Sequence, residues 1–459
     1  MLNPTPQQLV DHALAASRSD QCIVIAQDST SANLRWANNT LTTNGVMHSV
    51  GLSVISFQGK GNASVSGTAA SFDQVAELVA AADRGAAAAD PAEDGADLVA
   101  GDVAADWEDA PSTTSIDVYK TFASDLGAAF DQAEKQSRIL YGFVSHEVTT
   151  TYLASSTGLR LRHVQPTGHY GCTGKTSDLT NSAWVGGATR DFADVDATAM
   201  ADTLATRLGW GARRIDLPAG RYDTVLPPAA VADLMIDAYW SAGARVAHEG
   251  QSVYSKAGGG TRIGERIVNQ GVRLFSDPGY AGLQTADFVV ASGSSNDSSV
   301  YDNGLPLGHT DWIADGTLTS LLQTRHTAAM TNQPTTPGID NLVLSIDGAS
   351  GSETDLVAGV EDGLLLTCLW YIREVDPQTL LLTGLTRDGV YRIEGGEITG
   401  AVNNFRFNES PVDLLRRFTG ASETVPSFSR EWGDDYFSRT ATPALRIPDF
   451  NMSSVSQAL

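Results

Sequence analysis

Cysteine is scarce in this chain: Cys22, Cys172 and Cys368 are odd in number, widely separated and form no C-x-x-C pair. That excludes a disulfide framework and fits a reducing compartment. Basic residues are also few, with 30 Lys and Arg against 54 Asp and Glu and a formal net charge of −24. Such a surface repels phosphate backbones and anionic lipid, so neither nucleic acid nor a membrane surface is an expected partner. The acidity itself reads as a solubility or salt adaptation. No uncharged apolar stretch approaches the ~18 residues needed to span a bilayer. The start, Met1-Leu2-Asn3-Pro4-Thr5-Pro6, has neither a basic n-region nor an apolar h-region. No secretory signal is therefore expected, and the expected location is cytoplasmic.

What remains is the composition of a globular protein, with 42% hydrophobic and 18% charged residues. A length of 459 residues exceeds one ordinary core, so two domains are expected, 1–220 and 221–459. The 44 glycines point to many turns and to substantial β-structure. In the first half, apolar periodicity predicts helices over 5–17, 71–84, 116–136 and 194–208. Between them lie β-type runs at 22–26, 33–37 and 50–57 and a long β-rich stretch over 139–185. The Ala- and Asp-rich segment 85–109 reads as a surface linker or mobile loop whose acidic residues are solvated. In the second half one helix is predicted over 229–248, followed by strands at 287–292, 342–346, 364–372, 380–385, 389–394 and 397–402. Asp388-Gly389 and Gly395-Gly396 mark hairpin turns. The expected class is α+β, a helix and antiparallel-strand domain followed by one dominated by antiparallel sheet or a β-barrel.

One short run carries chemistry. His248-Glu249 opens like H-E-x-x-H, in which two histidines one helical turn apart hold Zn²⁺ and the glutamate activates water. Ser252 and Val253 stand where a second histidine is wanted, and neither replaces imidazole. The dipeptide alone says little, because His146-Glu147 repeats it inside a β-alternating segment. His309, His326 and Cys368 could complete a rearranged site only if the fold gathered them. Gly258-Gly259-Gly260-Thr261-Arg262-Ile263-Gly264-Glu265 lacks the phosphate-loop lysine and follows a helix, so it reads as a flexible loop beside a cleft. Gly348-Ala349-Ser350-Gly351 falls one residue short of G-x-S-x-G.

Several segments in order resemble the TldD/PmbA (TldE) peptidase family. They are Thr224-Val225-Leu226-Pro227-Pro228, the helix ending at His248-Glu249, and Arg262-Ile263-Gly264-Glu265-Arg266. Tyr301-Asp302-Asn303-Gly304, Ile313-Ala314-Asp315-Gly316-Thr317-Leu318 and Ile393-Glu394-Gly395-Gly396-Glu397-Ile398 continue the series. The resemblance implies two branches. TldD-like members carry H-E-x-x-x-H on this helix and a late cysteine ligand, and they hydrolyse peptides. PmbA/TldE-like members lack the ligands and pair with a TldD-like chain. Here Val253 occupies the second-histidine position and no cysteine follows Cys368, which places the chain in the PmbA/TldE-like branch.

The resemblance thus implies a cytosolic subunit with no cofactor and no metal of its own. Zinc is expected in a TldD-like catalytic subunit, a peptide or unfolded polypeptide as substrate, and a homodimer as a possible form. His248 and Glu249 become a remnant motif, and Gly258, Gly259, Gly260, Arg262 and Glu265 line a substrate or partner channel. The alternatives are an autonomous metallohydrolase with a rearranged site at His248 and Glu249, or a non-enzymatic binding or assembly protein.

Overall fold

The computed structural model describes residues 4–101, 103–433, 437 and 439–456. Helix α1 (Pro6–Ala16) starts at Thr5, where the Thr5 hydroxyl accepts the Gln8 amide N–H and the Gln8 side chain accepts the Thr5 amide. This reciprocal cap satisfies donors that the first turn otherwise leaves unpaired. There follow β1 (Gln21–Ala37), β2 (Thr40–Gln58), β3 (Gly61–Thr68), α2 (Phe72–Ala88), α3 (Lys120–Lys135), β4 (Arg138–Ser155), β5 (Arg160–Thr176), β6 (Ser182–Thr189) and α4 (Ala197–Trp210). The strands form one antiparallel sheet in the order β3-β2-β1-β4-β5-β6.

The runs at 22–26 and 33–37 are two ends of the single strand β1. The Ser/Thr cluster between them does not break it, because strands on both sides pair with it throughout. Its hydroxyls find cross-strand partners, Ser29 with Thr149 at 2.7 Å. The reversal comes at Asn38 and Asn39, both at positive φ (52° and 56°), as a two-residue hairpin requires.

One face of this sheet packs against the helices. Val24, Ala26, Leu52 and Val54 meet α1 and α2, while Leu34, Trp36, Val144 and Cys172 meet α3 and α4. On the other face Ile23, Ile25, Ile55 and Phe57 join Phe288, Val300 and Tyr301 from the second half of the chain. Leu98, 6% exposed, lies in that same cluster. Segment 85–109 is thus a strap and not a solvated linker. After α2 it crosses between the halves, with the Ala92 N–H on the Lys60 carbonyl, the Asp94 carboxylate accepting from Ser294 and Ser299, and Asp106 pairing with Arg162 at 3.1 Å.

The second half contains β7 (Arg214–Ile215), β8 (Gly220–Leu226), α5 (Pro228–Trp240), α6 (Ala244–His248), β9 (Val272–Ser276), β10 (Thr310–Ala314), β11 (Thr317–Leu318), α7 (Arg325–Thr331), β12 (Leu342–Ile346), α8 (Glu353–Ala358), β13 (Asp362–Leu366) and β14 (Leu369–Asp376). It ends with β15 (Leu381–Thr386), β16 (Val390–Glu394), β17 (Glu397–Val402), β18 (Phe405–Glu409), α9 (Pro411–Arg417), β19 (Gly420–Ala421), β20 (Val425–Ser427), β21 (Thr440–Thr442) and β22 (Leu445–Val455). One sheet runs β11-β10-β9-β12-β21-β20; the other runs β14-β15-β18-β22-β8-β13-β16-β17-β7, with β19 beside β22. The larger sheet stays open between its β14 and β7 edges and is not a closed barrel. Helix α5 is buried on almost every side, with Leu234 and Met235 in one core with Trp312, Phe405, Phe407 and Phe450. A helix apolar all round belongs in such an interior.

Two strand expectations need correction. Residues 287–292 form no strand: Phe288 makes a single bridge to Pro306 and sends its ring into the core between the halves. The expected strand 364–372 is two, β13 and β14. They part at Thr367, whose N–H and hydroxyl both donate to the Gly389 carbonyl while the chain crosses toward the sheet edge.

Candidate functional site

The expected helix over 229–248 breaks between α5 and α6. The Leu322 N–H donates to the Ala242 carbonyl at 2.8 Å, and the Ala244 N–H to the Leu322 carbonyl at 3.0 Å, so a β-type bridge replaces helical bonds. Between Ala242 and Ala244, Gly243 leaves room for Asp297, since a Cβ there would stand 2.3 Å from Asp297 Oδ1. After the break α6 lasts five residues, and His248 is its last. Glu249 caps it and Gly250 turns away at φ 82°. Ser252 and Val253 therefore lie beyond the helix. Both are buried, and Val253 packs in the main core beside Tyr254.

His248 and Glu249 are exposed. Glu249 accepts from Arg245 Nε at 3.2 Å, and the same guanidinium donates to Glu93 of the strap at 3.0 Å. That hydrogen bond holds the Glu93 carboxyl below the usual glutamate range. His326 Nε2 stands 3.8 Å from the other Glu93 oxygen.

The glycine loop is fastened to the same turn, its Gly260 N–H on the His248 carbonyl at 3.3 Å. Gly258, Gly259 and Gly260 have φ of 91°, 109° and 86°, and nothing within 4 Å would meet a Cβ at any of them. Conformation and not crowding therefore selects glycine here. Arg262 and Glu265 come together but face each other, Nε to Oε2 at 3.1 Å, with Arg262 also donating to the Val253 carbonyl. The expected channel residues thus form one loop stitched to itself and to the His248 turn.

The remaining ligand candidates stay apart. His309 sits between Asp277 and Asp311 beside Arg273. Cys368 is buried, and burial pushes its thiol up to about 12. A metal needs a thiolate, not such a thiol. Among the described residues no three His, Cys, Asp or Glu side chains stand together in a way that could hold a metal ion. The residues at the His248 turn do not fit a zinc centre, which needs about three protein ligands.

Two features were missed from sequence. The first is a carboxylate pair one turn apart on α5. Asp233 is fully buried, its Oδ1 accepting from the Ser429 hydroxyl at 2.5 Å and the Glu431 N–H at 3.0 Å, while its buried Oδ2 has no partner among the described residues. Burial pushes Asp233 up to about 8 and Asp237 up to about 7. Two aspartates in an otherwise apolar helix were the available signal. The second is a set of cavities between the first sheet and the second half. One of about 550 Å³ is flanked by Arg190, Glu353 and Arg439, and one of about 630 Å³ by Lys175, Arg207, Arg214 and Arg387. Their walls come from distant segments, so no local pattern announces them.

Residues 219–454 match the family model of the PmbA/TldA metallopeptidase C-terminal domain, and residues 22–89 match that of PmbA/TldA metallopeptidase domain 1. A comparison with curated proteins gives no match. The fold is similar to that of TldE from Thermococcus kodakarensis, with TM-score 0.74 at 14% identity over 97% of this chain and 99% of that one. It is also similar to two proteins described as proposed modulators of DNA gyrase. The one from Thermotoga maritima gives TM-score 0.75 at 15% identity over 97% and 99% of the two chains. The one from Bacteroides thetaiotaomicron gives 0.72 at 14% over 98% of each. With a family model spanning residues 219–454 and a second at the N-terminal end, the chain belongs to the TldD/PmbA/TldE family of metallopeptidase-related proteins.

Proposed function

We propose that this chain is the TldE-like subunit of a cytosolic TldD/TldE-type metallopeptidase and contributes no zinc ligands itself. The observation that carries this reading is local. Helix α6 ends at His248, and the position assigned by resemblance to a second histidine is Val253, beyond the helix and packed in the core. Glu249, the would-be base, is engaged by Arg245. A TldD-like partner supplies the metal and the water-activating glutamate, and a peptide or unfolded polypeptide is the substrate. The glycine loop at 258–260, open to solvent, is a surface on which such a partner can close.

Co-expression with a TldD-like chain tests this. The expected result is one co-eluting heterodimer with chelator-sensitive peptidase activity, and no stoichiometric zinc on this chain purified alone. Zinc with peptidase activity in the isolated chain, abolished by His248→Ala, would overturn the reading in favour of a rearranged autonomous site.

A further inference from the structure

In a chain with 30 basic and 54 acidic residues, cations ought to be dispersed and paired. Six of the 30 instead line one trough. Adjoining cavities of about 410, 290 and 630 Å³ share walls, Tyr141, Thr173 and Arg430 between the first two and Lys175, Arg387 and Asp388 between the last two. Along them stand Arg35, Arg430, Lys175, Arg387, Arg207 and Arg214, with Asp388 as the one carboxylate among the described lining residues. Asp388 is already engaged, by the Ser182 hydroxyl and by Arg387 at 3.6 Å. Arg207 donates to the Trp184 carbonyl and shares the wall of the cavity of about 550 Å³ with Glu353; the charge of Arg430 favours the ionised form of Asp233.

The floor follows from strand register. Arg35 of β1 lies directly opposite Phe143 of β4, Tyr141 opposite Thr173 of β5, and Thr173 opposite Trp184 of β6. Period-two alternation puts these on one face of the sheet, with Lys175 two residues beyond Thr173. Trp370, Arg387 and Arg430 form the facing wall. Aromatic rings lie against four of these six cations, Arg35, Lys175, Arg387 and Arg430. Arg35 lies 5.4 Å from the Phe143 centroid and Lys175 5.9 Å from that of Tyr141. Arg430 lies 4.1 Å from Trp370 and 4.9 Å from Trp184. Cation–π contact fixes a guanidinium or ammonium without neutralising it.

We infer that this trough is a binding site for an extended acidic peptide segment. The cations are spread along three cavities and do not converge on one point, which suits a chain of carboxylates better than a single small anion. Each of these rings already has a cation against it, which leaves less ring face for stacking bases and argues against single-stranded nucleic acid. On a molecule of net charge −24 the rest of the surface repels an acidic segment, so the trough selects where it lands. The charge of the ligand stands on the trough alone; that it is a peptide rests on the proteolytic reading above.

Fluorescence anisotropy on the full chain tests this with a labelled Glu-Gly repeat peptide, its Gln-Gly counterpart and an oligothymidylate of matching length. The Glu-Gly peptide is expected to bind saturably, about tenfold more weakly when salt shortens the Debye length well below ~8 Å. Lys175→Gln combined with Arg387→Gln is expected to lower its affinity at least tenfold, with Arg387→Lys retaining most of it. If that double variant misfolds, Arg35→Gln with Arg214→Gln serves, since both side chains are exposed. Equal binding of the Gln-Gly peptide, tighter binding of the oligothymidylate, no saturable binding, or unchanged affinity in the folded variants would each overturn the proposal. Failure to form the heterodimer with peptide binding intact would instead strike the subunit reading alone.

Discussion

Arg245 donates to Glu93 at 3.0 Å across 152 positions of sequence, tying the turn that ends at His248 to the strap between the two halves. Glu93 is exposed and Arg245 only partly buried, so the pair contributes little to global stability. Its effect is local order. Arg245→Ala is expected to leave the melting temperature almost unchanged while speeding hydrogen exchange of the amides around residues 92–95. Because Glu93 is held below the ordinary glutamate range, the tie is present at neutral pH and is lost only as pH falls below that range.

Asp233 gives the fold a pH dependence of the opposite sense. A buried carboxyl raised from 3.8 to about 8 contributes stability fully present below the unfolded value and lost as pH rises toward 8. The shift corresponds to on the order of 5 kcal/mol, at about 1.4 kcal/mol per unit. Asp233→Asn keeps an acceptor for Ser429 and Glu431 and removes the titration. Urea unfolding between pH 5 and pH 8 is expected to show the variant gaining on the parent by a few kcal/mol as pH rises. A constant difference across that range would contradict a buried neutral Asp233.

The three cysteines are buried, and burial pushes each thiol up to about 12. The thiolate is the reactive species, so the native protein is expected to show no fast-reacting thiol toward a disulfide reagent at neutral pH. In urea all three should react. A rapid native thiol would show that Cys22, Cys172 or Cys368 is reachable by solvent.

Restoring the sequence motif is not expected to restore a metal site. Val253→His would place an imidazole in the core, beyond the end of α6, at a cost of about 1–3 kcal/mol for an unpaired buried polar group. Elemental analysis of the purified variant should find no stoichiometric zinc, and its unfolding midpoint should drop. Bound zinc at one equivalent would mean that the turn after His248 can reorganise around a metal.

Much of the fold was legible because local signals and tertiary context agreed. The apolar stripe of Leu9 and Ala13 behind Thr5 marked α1, and Gly395-Gly396 marked the β16–β17 hairpin. Asp388-Gly389 was expected to close a hairpin too, but it joins β15 to β16, which lie apart in the sheet and pair with β18 and β13 instead. Errors came where a distant segment overrode a local pattern. The periodicity of 229–248 was continuous, but Leu322 captures Ala242 and Ala244 and divides the helix. The Ser/Thr run within β1 looked like punctuation until strands on both sides paired with it. At the site, the departure from the H-E-x-x-x-H spacing could be read directly at Ser252 and Val253. The burial of Asp233 and the gathering of Lys175, Arg214 and Arg387 could not, because neither exists until separate elements pack.

The cluster joining Ile23, Ile25, Ile55 and Phe57 to Leu98, Phe288, Val300 and Tyr301 bears on how the molecule can be divided. A backbone nick in the exposed stretch between β6 and α4 would not free two proteins, since that cluster and the strap hold the pieces side by side. Either piece made alone would present an oily sheet face to water and invite aggregation. Family models match residues 22–89 and 219–454 separately, yet this apolar cluster belongs to both halves at once.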